Sequence, residues 1–206
     1  MMNNQKRIGI YGGSFDPIHI GHLNLAVEML EAHHLDEVWI SPTGSNPLKK
    51  IGCRASPVQR LAMVGLAIQG EPRFHILDIE VFQDTQCFTI DTLHILMKIQ
   101  ESEGRSDKFF VIMGDDSARS FHKWREPEEI IKHALPLIGR RTGSQLSEDF
   151  IGSTEVVLAL EEGVTQIHIM DISSTNIRDR LSKKLFCGHL LPGKVLDYIK
   201  SHRLYL

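Results

Sequence analysis

Two histidines in a glycine-rich turn are the residues whose chemistry stands out most in this sequence. His19 and His22 lie in the segment YGGSFDPIHIGH, residues 11–22, which follows a short apolar run and leads into an amphipathic stretch. Imidazoles three residues apart on a helix fall on one face. Together they could donate hydrogen bonds to the oxygens of a polyphosphate and stabilise the charge that develops when a phosphorus atom is attacked.

The glycines of the same turn favour a phosphate site. Gly12 and Gly13 let the backbone approach an anion closely, and a helix beginning near Gly21 directs N–H groups and its positive dipole end towards that anion. The spacing matches neither the G-x-G-x-x-G dinucleotide fingerprint nor the G-x-x-x-x-G-K-[ST] phosphate loop. A zinc site is not indicated by this pair, because no third ligand of suitable spacing accompanies it. An isolated His-x-x-His pair more often consists of a helix cap and a core histidine.

A second segment with suitable chemistry is ISSTNIR, residues 172–178. Its hydroxyls and the N–H groups of a helix start form a nest for an anion, and Arg178 adds a fixed cation one turn into the helix. Taken alone, such a segment is usually an N-cap followed by a solvated charge, with Ser173 or Ser174 as the cap.

These residues must be positioned by the elements around them, which alternate between short apolar runs and stretches of helical period. That alternation is typical of βαβ units and a parallel sheet. The expected strands are residues 7–11, 37–40, 74–76, 109–113, 135–138 and 167–170. The expected helices are residues 22–32, 57–69, 90–100, 127–133, 175–184 and 192–202. The polar segment 141–152 predicts a surface loop.

Length and composition predict one domain spanning residues 1–206. The chain has 42% hydrophobic residues and 24% charged residues, as in an ordinary globular protein. Its 23 Lys and Arg against 26 Asp and Glu give a net charge of −3, which excludes the global basic field of a duplex binder. We therefore expect no nucleic-acid partner.

Cysteine usage and hydropathy predict a cytoplasmic protein without a membrane partner. No apolar run approaches the roughly 18 residues of a membrane span, and the beginning of the sequence lacks the apolar core of a signal peptide. The three cysteines are far apart and form neither a disulfide framework nor a C-x-x-C pair.

The motifs carry a family resemblance. YGGSFDPIHIGH resembles the G-x-F-D-P-x-H-x-G-H motif of the nucleotidylyltransferase superfamily, and ISSTNIR is similar to the I-S-[SA]-T-x-I-R segment of its bacterial nicotinate-mononucleotide adenylyltransferases. The similarity extends over nearly the whole chain, including the closing segment LLPGKVLDYIKSHRLY. It implies an α/β, Rossmann-like nucleotidyltransferase fold with a central parallel sheet and helices on both faces.

The resemblance also implies roles for individual residues. The catalytic residues it implies are His19, His22, Lys49 and Arg178. The ATP-binding residues it implies are Gly12, Gly13, Ser14, Phe15, Asp116, Ser174 and Thr175. For the mononucleotide it implies Thr89, Trp124 and Arg141, and it gives Arg60 and Met63 a role in shaping the pocket.

Three positions depart from the family pattern. Leu48 replaces a common histidine, Phe88 replaces a tyrosine, and Asp115 replaces an alanine or glutamine. Leu48 removes one donor to phosphate and could shift that work to Lys49. Phe88 removes a phenol that would hydrogen-bond near the pyridine ring.

The reaction implied by the resemblance joins ATP and nicotinic acid mononucleotide. The phosphate of the mononucleotide attacks the α-phosphorus of ATP, giving deamido-NAD and pyrophosphate. We expect Mg²⁺ to be carried with ATP and no residue to be a dedicated metal ligand, because this ion takes few protein ligands beside a nucleotide.

Several alternatives stay open at the level of sequence. The acceptor could be nicotinamide mononucleotide or phosphopantetheine, the enzyme could be a cytidylyltransferase, or the chain could bind a nucleotide without turnover. A dehydrogenase is disfavoured, because the glycine spacing is wrong and no acidic residue ends the second strand. Acid or amide preference and a possible homo-oligomer are likewise undecided.

Overall fold

A single parallel sheet organises the part of the chain described by the computed structural model, residues 5–44, 53–83, 87–141, 150–168 and 170–206. Within these ranges the strands are β1 (Arg7–Gly13), β2 (Glu37–Pro42), β3 (Phe74–Ile76), β4 (Lys108–Gly114), β5 (Ala134–Arg141) and β6 (Val164–Ile167). Their order is β3-β2-β1-β4-β5-β6, and every neighbouring pair is parallel. This is the doubly wound order: β2 and β3 are added on one side of β1, and β4, β5 and β6 are added on the other.

Helices cover both faces of the sheet. In the described ranges they are α1 (Ile20–Ala32), α2 (Pro57–Ala67), α3 (Thr89–Ser102), α4 (Asp115–Arg119), α5 (Pro127–His133), α6 (Thr154–Glu162), α7 (Ser174–Ser182) and α8 (Gly193–Ser201). Successive residues of a strand face opposite sides. Along β4, Phe110 and Ile112 accordingly join the core under α1, α2, α7 and α8, whereas Phe109 and Val111 join the core under α3, α5 and α6. The expected α/β architecture is confirmed.

The strand predicted at residues 167–170 was wrong in its position. β6 covers Val164–Ile167, and its last pair with β5 joins Arg141 to Ile167. Apolar runs do not reveal this edge strand, because Thr165 and Gln166 are polar. Beyond Ile167 the chain leaves the sheet, and Met170 lines the cavity described below.

The polar segment 141–152 was expected to be a loop. Its first residue, Arg141, instead ends β5, and residues 142–149 lie outside the described ranges. Helix α6 follows and was not predicted from the sequence. Its helical pattern is short, because only two of its residues, Val156 and Leu160, are buried, and they lie four residues apart.

Serine side chains cap two of the helices. Ser56 caps α2, with Pro57 in the first turn. Of the two candidates for α7, Ser173 is the cap, because its hydroxyl accepts a hydrogen bond from the N–H of Asn176 at 3.2 Å. Pro192 is the N-cap of α8 and not part of its first turn. None of the helices within the described ranges has both the length and the apolar composition that a bilayer crossing requires.

Candidate active site

A cavity of about 920 Å³ opens at the carboxyl ends of β1 and β4. Gly13 ends β1, Gly114 ends β4, and both line the cavity. In open α/β sheets, ligands bind where the strand order reverses, and this is that point. Its volume falls within the range of ligand sites, about 300–1,000 Å³.

Most of the residues expected at the site from the sequence meet in this cavity. Its walls include Gly12, Gly13, Ser14, Phe15, His19, His22, Thr89, Asp116, Trp124, Ser174, Thr175 and Arg178. Two of the expected residues are not placed there. Lys49 lies outside the described ranges, as does Leu48, and for Arg141 only the backbone at the end of β5 is described.

His19 and His22 form a reciprocal cap at the start of α1. Nδ1 of His19 accepts from the N–H of His22 at 3.3 Å, and Nδ1 of His22 accepts from the N–H of His19 at 3.2 Å. The two rings stack with centroids 3.6 Å apart and planes 17° from parallel. Because Nδ1 is an acceptor in each ring, the ring proton lies on Nε2 in both.

The charge of His19 is set by its surroundings. The side chain is buried, and burial lowers the pKa of His19 to about 4. His19 is therefore neutral near pH 7, in agreement with the tautomer that the cap imposes. The pair offers fixed N–H dipoles to a phosphate, with no imidazolium charge on His19.

Asp16 ties the glycine-rich turn to two distant parts of the chain. Its buried carboxylate accepts from the backbone N–H groups of Arg54 at 2.8 Å and Ala55 at 3.0 Å, and from the hydroxyl of Tyr205 at 2.7 Å. Its carbonyl oxygen accepts from Nη1 of Arg178 at 2.6 Å. Asp16 thus stabilises the glycine-rich turn. From the sequence, Asp16 is only one residue of a motif, with no indication of these contacts.

The two sequence motifs are in direct contact. Besides its bond to the carbonyl of Asp16, Arg178 donates from Nη2 to Oγ1 of Thr175 at 3.1 Å. The Ser174 hydroxyl donates to the carbonyl of Pro17 at 2.9 Å. The start of α7 therefore docks against the turn before α1, and this contact brings Arg178 into the same cavity as the histidines.

Arg60 stabilises the backbone of the glycine-rich turn. The side chain is completely buried, and Nη1 donates to the carbonyl of Ser14 at 2.7 Å. Nη2 donates to the carbonyls of Thr43 and Gly44 at 2.5 and 3.0 Å. One guanidinium thus fixes the segments that follow β1 and β2, as the pocket-shaping role expected for Arg60 requires.

Asp115, one of the departures from the family pattern, is the acidic partner of two arginines. Its Oδ1 lies 2.7 Å from Nε of the buried Arg140, and its Oδ2 lies 2.8 Å from Nη2 of Arg119. Although burial raises the pKa of Asp115, the hydrogen bonds from Arg119 and Arg140 outweigh it and hold the pKa below its usual value. Asp115 therefore balances the charge of Arg140, while the adjacent Asp116 lines the cavity.

One side of the cavity is an aromatic wall formed by Phe88 and Trp124. Trp124 packs against Phe121 with ring centroids 5.0 Å apart, and the guanidinium of Arg125 lies 5.1 Å from the ring centroid of Phe88. Phe88 occupies the N-cap position of α3, whose first residue, Thr89, also lines the cavity. A planar ring could bind against this wall.

A buried carboxyl, Glu80, also faces the cavity. It is 6% exposed, and the hydroxyl of Thr92 donates to its Oε1 at 3.2 Å. Burial raises the pKa of Glu80 to about 7. Protonated and ionised forms therefore coexist near neutral pH.

Comparison with known proteins agrees with this geometry. A family model described as cytidylyltransferase-like matches residues 10–180. A probable nicotinate-nucleotide adenylyltransferase of Synechococcus sp. (strain JA-3-3Ab) is 34% identical, covering 98% of this chain and 96% of the relative. One from Flavobacterium psychrophilum is 36% identical, covering 97% and 98%. The chain belongs to the nicotinate-nucleotide adenylyltransferase family.

Solved structures share the fold of this nicotinate-nucleotide adenylyltransferase family member. The Plasmodium falciparum nicotinic acid mononucleotide adenylyltransferase complexed with NaAD superposes with a TM-score of 0.72 at 22% identity, covering 98% of each chain. The same enzyme complexed with APC gives 0.71 at 21% identity. At this identity the likeness establishes the fold.

Sequence reasoning on this family member missed cavity residues that carry no motif. They include Asn24, Glu80, Cys87, Ser117, Ser120, Lys123 and Arg125. Arg125 follows the predicted Trp124 and could have been considered on that ground. Glu80 gave no local signal, because its burial depends on how the segment after β3 packs against α3.

Proposed function

We propose that this protein transfers the adenylyl group of ATP to nicotinic acid mononucleotide, forming deamido-NAD and pyrophosphate in NAD biosynthesis. One observation carries the proposal: in a member of this family, a single cavity brings the His19–His22 pair together with Arg178. The cavity lies at the sheet edge where nucleotides bind in doubly wound folds.

In the proposed reaction an oxygen of the mononucleotide phosphate attacks the α-phosphorus of ATP. A P–O bond forms to that oxygen, and the bond from the α-phosphorus to the oxygen bridging to the β-phosphate breaks. The electron pair leaves with pyrophosphate, and no covalent enzyme intermediate is needed. Positioning and charge stabilisation supply the rate.

His19, His22 and Arg178 are the residues proposed to stabilise the negative charge on the phosphates during the reaction. The Nε2–H groups of the two histidines donate to phosphate oxygens, and the guanidinium of Arg178 balances negative charge as the leaving group departs. Since the pKa of His19 is about 4, this histidine acts as a neutral donor in the free protein and not as a general acid. Lys49 is proposed to reach the same phosphates.

The proposed ATP site surrounds these groups. The turn at Gly12 and Gly13 and the start of α1 accept the phosphates, with Ser14 and Phe15 beside them. Ser174 and Thr175 add contacts from α7. Asp116, after β4, is proposed to accept hydrogen bonds from ribose hydroxyls.

The divalent metal that accompanies ATP in enzymes of this kind is proposed to be Mg²⁺, held mainly by phosphates and water. The donor chemistry of the cavity fits an ion brought by the substrate. Among the described cavity carboxylates, Asp115 is paired with two arginines and the pKa of Glu80 is raised. Asp116 is the remaining carboxylate that could meet the ion, directly or through water. When bound, Mg²⁺ would neutralise phosphate charge.

The mononucleotide is proposed to bind at the aromatic wall. Its pyridine ring would lie near Trp124 and Thr89, and its phosphate would point towards the histidines. The side chain of Arg141, at the end of β5, is proposed to contribute to the same ligand. Phe88 offers no phenol to the ring, so discrimination between acid and amide rests on other groups.

The test is pyrophosphate release from ATP and Mg²⁺, with nicotinic acid mononucleotide and nicotinamide mononucleotide assayed in parallel. A strong preference for the acid, with deamido-NAD as the product, is the expected result. Turnover only with the amide or with phosphopantetheine would assign a different acceptor. ATP binding without pyrophosphate release in the presence of any of these acceptors would instead identify a nucleotide-binding module.

We also propose a cytoplasmic location. Cys53, Cys87 and Cys187 are all free thiols, and thiols persist in reducing compartments. Assembly into a homo-oligomer remains a prediction, which light scattering of the purified protein would test.

A further inference from the structure

Outside the cavity, three side chains of metal-binding type meet between α3 and α5. His94 lies on α3, whereas Glu129 and His133 lie one turn apart on α5. One ligand atom from each residue can be chosen so that all three lie within 4.8 Å of one another. We propose that His94, Glu129 and His133 form a zinc site that fastens α5 to α3.

The distances require a small rearrangement of the three side chains around an ion. Nε2 of His133 lies 2.9 Å from Oε1 of Glu129, and the rings of His94 and His133 meet edge to face with centroids 5.7 Å apart. With metal–ligand bonds of about 2.0–2.2 Å, ligand atoms of a tetrahedral zinc site lie about 3.3–3.6 Å apart. A pair at the 4.8 Å limit must therefore approach by roughly 1.3 Å, and the His133–Glu129 pair must separate by roughly 0.5 Å. His94 is exposed, so rotation of its side chain can supply this movement.

The donor set favours zinc over the hard cations Mg²⁺ and Ca²⁺. Two imidazoles and one carboxylate suit zinc with water in a fourth position, whereas Mg²⁺ and Ca²⁺ prefer oxygen ligands alone. Nζ of Lys132 lies 2.9 Å from Oε2 of Glu129 and leaves Oε1 facing His133. Lys132 is therefore not a ligand but orients the Glu129 carboxylate. Glu128 and Glu155 partly balance the positive charge of Lys132.

The site lies away from the proposed chemistry. His133 is followed directly by Ala134, where β5 begins, so the cluster sits at the edge where strands start. The cavity lies at the opposite edge, where β1 and β4 end. However, α3 begins at the cavity residue Thr89, and α5 follows the cavity residues Trp124 and Arg125. A metal between the helices would thus stabilise the two segments that form the aromatic wall.

The test is zinc titration of the full-length protein without an affinity tag, after removal of metals by a chelator. We expect one zinc per chain in calorimetry and a rise in Tm on the order of 3–6 °C at tenfold excess of free zinc over Kd. His94→Ala and Glu129→Gln should each weaken binding at least ~10-fold. Cobalt should give the intense visible bands of a four-coordinate ion, and these bands should be lost in both variants.

A matched control is the pair of the exposed His168 and the half-buried Glu28, whose Nδ1 and Oε1 lie 3.6 Å apart. Within the described ranges this pair is not part of a three-ligand group, so His168→Ala should leave zinc affinity unchanged. Equal zinc affinity in the wild type, His94→Ala and Glu129→Gln would overturn the proposal, as would zinc that ATP displaces from the cavity histidines. Because His94 is exposed, its alanine variant should keep the wild-type circular dichroism spectrum.

Discussion

The hydroxyl of Tyr205 donates a 2.7 Å hydrogen bond to Oδ1 of Asp16, 189 residues earlier in the chain. The same carboxylate accepts two backbone N–H groups from residues 54 and 55. Burial and the bond to Asp16 raise the pKa of the Tyr205 phenol, so it stays protonated and keeps donating. The segment after α8 is therefore part of the support of the glycine-rich turn.

Tyr205→Phe should destabilise the protein, because Oδ1 of the buried Asp16 carboxylate loses one of its two donors and keeps only the N–H of Ala55. The expected loss in the free energy of unfolding is about 1–3 kcal/mol, measured by urea denaturation. Tyr198→Phe is the control, since the Tyr198 ring stacks on the exposed His202 and is not part of this network. Equal stability of the Tyr205→Phe variant and the wild type would show that the turn is held without this bond.

Removing the charge-stabilising groups should abolish most of the proposed turnover. His19→Asn keeps a side-chain acceptor at the N-cap of α1 but removes the imidazole, and Arg178→Ala removes the guanidinium. Each variant should lower kcat at least ~10²-fold in the pyrophosphate-release assay. Arg180→Ala, on the same helix but bonded to the carbonyl of Phe186 outside the cavity, should retain kcat. Near-normal kcat in both site variants would refute the roles assigned to them.

His19 and Glu80 should give the stability of the protein opposing dependences on pH. The folded pKa of His19, about 4, lies below the usual 6.5, so His19 costs stability as pH falls from 6.5 to 4. The folded pKa of Glu80, about 7, lies above the usual 4.5, so Glu80 costs stability as pH rises from 4.5 to 7. Each shift corresponds to about 3 kcal/mol.

Two variants separate these effects. Relative to wild type, His19→Asn should gain stability as pH falls through 6.5 to 4, and Glu80→Gln should gain stability as pH rises through 4.5 to 7. Urea denaturation at several pH values measures both differences. Two differences with the same sign, or none, would contradict the charge states inferred from burial.

Phe88→Tyr tests the aromatic wall. A phenol there would restore a donor near the proposed pyridine position, at a ring that already packs against Arg125. We expect the KM for nicotinic acid mononucleotide to fall about 2- to 10-fold, as for one added hydrogen bond, with the KM for ATP unchanged. Phe82→Tyr, at an exposed phenylalanine, is the control. Parallel changes in both KM values would place Phe88 outside the mononucleotide site.

The sequence by itself determined the motifs and most of the helices and strands, although not α6 or the position of β6. Apolar runs of β1 and β4 and the helical period of α1 are local patterns, and the glycine-rich turn predicts a phosphate site because its residues are neighbours in the chain. The alternation of strands and helices then leaves few arrangements other than a parallel sheet with helices on both faces. The cap formed by His19 and His22 is likewise local, since only three residues separate them.

Only the tertiary structure decided which distant groups meet and which are buried. The pairs Tyr205–Asp16 and Asp115–Arg140, and the cluster of His94 with Glu129 and His133, join residues far apart in the sequence. The displaced strand β6 is defined by its pairing with β5 and not by its own apolar content. The pKa values of His19 and Glu80 depend on desolvation, which is a property of the packed molecule and has no signature in any short segment.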